Sequence, residues 1–166
     1  MYNPQNFAMP VEYIIDKQRR LVVTTAWDRV TFADFKAHQD RLLNDPDFDP
    51  DFNQLLDGTR VAESDIGSNQ LKILISRRTF SPTSKRAFVA VNPAYFGIGR
   101  MAEAYLSVMK LSSETRVFYD LTSALDWLGL TASDIQLPKE SFPTHPRNNR
   151  GRFIPPSALN PVSQRW

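Results

Sequence analysis

A chain of 166 residues, 42% hydrophobic and 23% charged, has the length of one ordinary domain and enough apolar side chains to bury a core. It has no cysteine, which excludes disulfides, thiolate metal sites and cysteine nucleophiles. Nowhere do about 18 apolar residues follow one another, so no membrane span is expected. The net charge of +2 is unevenly placed, because five basic residues and one acid lie from Pro138 onward; the part before Pro138 is net acidic and does not read as a nucleic-acid surface.

The opening segment MYNPQNFAMPVEY has no basic region followed by an apolar run, so a cytoplasmic location is expected. Glu12 to Ile15 and Leu21 to Ala26 are β-rich runs on either side of the polar turn Asp16 to Arg20, and they predict a hairpin. Thr31 then caps a helix to about Asn44, with Asp34 in the capping-box position and Phe32, Phe35, Leu42 and Leu43 as its apolar face. His38 lies on the flank of that helix and reads as a boundary residue.

Asp45 to Phe52 reads DPDFDPDF. Its aspartates are spaced like the start of a calcium loop, but Pro50 stands where that loop needs glycine and Leu56 where it needs glutamate. The segment is therefore an acidic connector, with Phe48 and Phe52 pinning it to the core. Leu55 and Leu56 signal a short strand that breaks at Asp57-Gly58, followed by a polar loop and a helix from Ser68 to Phe80 with Leu71, Leu74 and Ile75 inward.

Lys85 to Val91, KRAFVAV, predicts a strand buried on both faces in the middle of a sheet. Asn92 caps the clearest helix, with Pro93 at its first position and an apolar repeat through Ala94, Ile98, Met101, Ala102, Tyr105, Val108 and Met109. Gly97 and Gly99 lack the third glycine and the immediately preceding strand of a dinucleotide fingerprint, and they read as close helix-on-sheet packing. Thr115 to Tyr119 is the last strand, and Asp120 caps a last helix closed by Gly129, with a short turn over Thr131 to Leu137.

The order β-β-α-β-α-β-α-β-α predicts an α/β domain over residues 1–137, with a mixed, mainly parallel four- or five-stranded sheet and helices packed on it. Residues 138–166 hold six of the twelve prolines and read as an extended or disordered basic tail. Its Arg147, Arg150 and Arg152, with Phe142, Phe153 and Trp166, offer weak contact to an anionic partner or to a second subunit.

The element order, with Asp57-Gly58-Thr59-Arg60-Val61 leading into Ser64-Asp65-Ile66-Gly67-Ser68, resembles the STAS domain of sulphate transporters and anti-sigma-factor antagonists. The nearer likeness is to its SpoIIAA-like (STAS/SEC14-like) branch. That likeness is carried by the DPDF unit, Phe96-Gly97 before Arg100-Met101, and Arg116-Val117-Phe118 leading to Ala124-Leu125-Asp126-Trp127-Leu128-Gly129. The resemblance spans about Val11 to Gly129. It implies a regulatory switch at the start of the helix after the third strand, where a D-S-S-G segment presents a serine to a partner kinase. Here Ile66 and Gly67 occupy the two serine positions, leaving Ser64 and Ser68 as the nearby hydroxyls.

The leading expectation is a non-catalytic protein-interaction or regulatory module, which meets an unknown partner or a second copy through Asp57, Thr59, Arg60, Ser64, Asp65 and Ser68. The alternative, from the SEC14-like label and from aromatics near strand ends, is a domain for a small apolar ligand or lipid, with Trp27, Tyr95, Phe96 and Tyr119 lining its pocket. An enzyme is the least supported class, since neither His38 nor His145 belongs to a constellation that spacing defines. No cofactor and no metal site is expected.

Overall fold

The strands pair in sequence order, and this decides where the helices lie. The computed structural model describes residues 9–110 and 114–137, with a five-stranded sheet ordered β1 (Val11–Asp16), β2 (Leu21–Val30), β3 (Asn53–Ser64), β4 (Lys85–Val89) and β5 (Glu114–Phe118). The first pair is antiparallel and the other three are parallel, so the α/β architecture and mixed sheet are those expected. Helices α1 (Phe32–Leu43), α2 (Ser68–Ser76) and α3 (Pro93–Val108) are the three crossovers. Parallel crossovers are right-handed almost without exception, and three that step in one direction lie on one face. Helix α4 (Leu121–Leu128) follows the last strand and covers the opposite face, where Ala124 and Leu125 pack on Leu21, Val23, Leu55, Ala87 and Val89.

Local chemistry sets the helix ends. Thr31 and Asp34 form a full capping box at α1, where Thr31 N–H donates to Asp34 Oδ2 at 2.8 Å. Asn92 Oδ1 accepts from Ala94 N–H at α3 with Pro93 in the first turn, and Gly129 closes α4 in the left-handed conformation at φ 74°. In the acidic connector, Asp45 and Asp49 each accept a backbone N–H two residues on, while Phe52 is buried beside Val22, Leu42 and Phe80.

Several expectations change. Strand β3 runs on through Ser64, so most of the expected loop is strand: its ladder with β2 continues to the Val30 and Ser64 pair across two register shifts. Gly58 permits this, because a Cβ there would lie 2.8 Å from the Val89 carbonyl oxygen on β4. Helix α2 stops at Ser76 rather than Phe80. Arg78 turns the chain at φ 51°, and Phe80 swings into the core edge-on to Phe48. Strand β4 ends at Val89, and β3, not β4, is central.

Leu43 points outward at 45% exposure, and so do Met101 and Val108 on α3 and Met109 at its C-cap; the buried residues of α3 are Ala102 and Leu106. His38 is buried at 2% exposure, not at a boundary. Of the two glycines read as close packing, Gly99 fits, with a Cβ falling 2.5 Å from Val117 Cγ2, whereas Gly97 has nothing within 4 Å. The tail read from Pro138 onward, with its arginines and aromatics, lies outside the described residues.

The two glycine environments give opposite expectations. Gly58→Ala forces a methyl onto a backbone carbonyl in the paired strand and lowers unfolding free energy by about 1–3 kcal/mol. Gly97→Ala, inside α3 with open space, raises it by about 0.5–1 kcal/mol. Urea unfolding of the two variants beside wild type checks both signs.

Candidate functional site: an apolar cavity with an arginine in its wall

Under the three crossover helices the sheet face is not fully filled. A cavity of about 170 Å³ lies between β2, β3 and β4 on one side and α1, α2 and α3 on the other. Its wall is mostly apolar, with Phe35, Leu56, Leu74, Ile75, Phe88 and Ile98 among the larger contributors. Space arises where the sequence places alanine at Ala26, Ala90 and Ala102 in that wall. Gln39 of α1 holds the helices over it, since its Nε2 donates to the Leu74 carbonyl at 3.1 Å and the neighbouring Asp40 accepts from Arg77 Nη2.

Among the described residues, one charged side chain, Arg86 of β4, borders the cavity. It starts a polar row across the buried sheet face. Arg86 Nε and Nη2 donate to Gln54 Oε1 at 3.0 and 2.8 Å, and Gln54 Nε2 donates to Thr24 Oγ1 at 3.2 Å. Thr24 Oγ1 in turn lies 3.2 Å from His38 Nε2. A guanidinium only donates, so the Gln54 amide has a single sensible orientation, and the direction propagates: Thr24 donates its hydroxyl hydrogen to Nε2, leaving the His38 proton on Nδ1. Burial, with the Arg41 and Arg86 charges adding to it, pushes His38 down to about 3, so the ring is neutral at pH 7.

The Arg86 guanidinium also lies over two rings, 4.9 Å from the Phe80 centroid and 5.1 Å from that of Phe88. Burial lowers it to about 10, which still leaves it a cation at neutral pH. A second cavity of about 10 Å³ adjoins this end and is bordered by Gln39, Thr79, Phe80 and Arg86. Gln39 Oε1 and Thr79 Oγ1 are buried without a protein partner among the described residues.

The expected contact residues do not form one surface. Asp57 is buried, and its Oδ1 accepts from both the N–H and the hydroxyl of Thr59, which is a local turn. Arg60 is half-buried within β3. Asp65 is exposed and pairs with Arg29 at 3.4 Å, and Ser68 is exposed as the first residue of α2. Ser64 accepts from Ile66 N–H and borders the cavity.

Of the four aromatics, Tyr95 borders the cavity and donates its hydroxyl to the Ala62 carbonyl at 2.9 Å. Trp27 is buried away from the cavity wall, while Phe96 and Tyr119 stack on each other with centroids 3.7 Å apart. Ile66, at one of the serine positions of the resembled motif, is buried in the cavity wall. Sequence reading missed Arg86, Gln54 and Gln39. The available signal was a charge inside the apolar run KRAFVAV.

Comparison of the sequence with models of known protein families and with curated proteins finds no match in either. Among the described residues, no helix is long and apolar enough to cross a membrane.

The neutral, buried His38 predicts a pH dependence with a definite sign. Its folded value lies below the ordinary 6.5, so the stability it contributes is full above pH 6.5 and is lost as pH falls toward 3. Between pH 6.5 and 5, before most carboxylates titrate, wild type is expected to lose up to about 1.4 kcal/mol per pH unit relative to His38→Asn. Parallel slopes for the two proteins in urea unfolding at stepped pH would discount the buried ring.

Proposed function

We propose that this chain is a non-catalytic binding domain of SpoIIAA-like type that takes a small apolar molecule into the cavity beneath α1, α2 and α3. The carrying observation is the 170 Å³ apolar cavity itself. Protein interiors are close-packed, and an apolar cavity of about 150 Å³ is known to admit a benzene-sized guest. Ile66 supports the same reading, since it puts an apolar wall where the resembled switch would present a serine.

Binding without turnover fits the polar groups around the cavity, which already serve the fold. Gln39 holds the Leu74 carbonyl, Ser64 accepts from Ile66, Tyr95 holds the Ala62 carbonyl, and Arg86 holds Gln54. Of the expected contact residues in the 57–68 segment, Asp65 and Ser68 are the exposed ones available to a protein partner, as a regulatory reading would require.

Toluene serves as the probe, followed through the methyl resonances of Leu74, Ile75, Ile98 and Leu106 around the cavity. Saturable shifts confined to these methyls are expected, and Ala102→Phe, which fills the space, should weaken binding at least about tenfold. No shift up to the solubility limit of toluene would sink the proposal.

A further inference from the structure

We propose that the molecule taken by this cavity is a small apolar monocarboxylate, between benzoate and octanoate in size, with its carboxylate on the free edge of Arg86 and its apolar part along β3 and β4 beneath α2 and α3. This rests on the apolar-ligand reading and adds the ligand's charge and polarity.

The donor inventory of Arg86 carries the argument. A guanidinium has five N–H groups, and Gln54 Oε1 takes the Nε hydrogen and one from Nη2. Three remain, one on Nη2 and two on Nη1, and no other hydrogen bond to Arg86 is seen among the described residues. The Nη1 and Nη2 edge is the fork that binds a carboxylate through two parallel hydrogen bonds.

Charge accounting points the same way. Among the described residues, Arg86 is the one charged residue in the cavity wall and no carboxylate forms an ion pair with it. Gln54 and the two phenyl rings hold the group in place but supply no counter-charge. A half-buried cation in an apolar wall without a counter-charge is partly desolvated at a cost, and a ligand that brings one negative charge relieves that cost as it binds. A single cation in an apolar wall matches one charge, which favours a carboxylate over a doubly charged phosphate ester.

The dimensions are consistent. Arg86, Phe88 and Ala90 follow one another along the cavity, and four residues of strand span about 13 Å. The charged end thus lies toward the start of β4, and the rest of the wall is Leu56, Leu74, Ile75 and Ile98.

The test compares octanoate, 1-octanol and octylammonium on the wild-type chain by calorimetry and methyl shifts, then repeats the first two on Arg86→Met. Octanoate is expected to bind at least roughly tenfold more tightly than octanol, with octylammonium weakest. Arg86→Met should abolish that preference and leave octanol binding in place. If octanol binds as tightly as octanoate, or if Arg86→Met keeps the preference, the carboxylate assignment is overturned while the cavity reading stands. If neither octanoate, octanol nor toluene binds, both fall together. Should Arg86→Met fail to fold, the wild-type series alone decides between these outcomes.

Discussion

Stepping every parallel crossover in the same direction is the constraint on which the other features of this fold depend. Because such crossovers share one hand, α1, α2 and α3 lie together on one sheet face and α4 has the other to itself. The α4 face closes tightly, with Leu21, Leu55, Ala87 and Ala124 each nearly without exposure. The three-helix face carries more structure and is filled less completely, since alanines at three places in its wall leave room.

That same face is where the sheet carries polar side chains. Thr24, Gln54 and Arg86 sit on neighbouring parallel strands and hydrogen-bond in sequence, ending at the neutral His38 on α1. Such a row is stable only when nearly every member is satisfied, because the low dielectric that strengthens each bond also penalises each gap. Gaps stand at both ends: His38 Nδ1 at one, and Gln39 Oε1, Thr79 Oγ1 and the free edge of Arg86 at the cavity end. A cavity with an apolar body and incompletely satisfied polar groups at one end is built for orientation as well as for volume.

Much of this architecture was legible locally. The capping signals at Thr31, Asn92 and Asp120 and the closing Gly129 act through neighbours two to four residues away, so they can be read in sequence. The segment Asp57 to Ser64 reads as loop because its polar residues and glycine are turn-formers in isolation, while pairing with β2 holds it extended after the β4 ladder ends at Asp57. The expected helix through Phe80 failed for a similar reason: burying Phe80 against Phe48 and Phe52 outweighs continuing a helical period. The aromatic residues chosen as pocket lining were near strand ends, but nearness in sequence does not say which face a ring takes, and only Tyr95 reached the cavity wall.

The sequence by itself determined the element order, the capped helix ends at Thr31, Asn92, Asp120 and Gly129 and the α/β class, because periodicity and capping are short-range properties of the chain. Only the tertiary structure decided that Arg86, Gln54, Thr24 and His38 form one row, and that Ile66 and Ala102 face a common space. Those residues come from three strands, two helices and the turn before α2, widely separated in the chain. Strand register and crossover hand bring them together, and neither is written in any one stretch of residues.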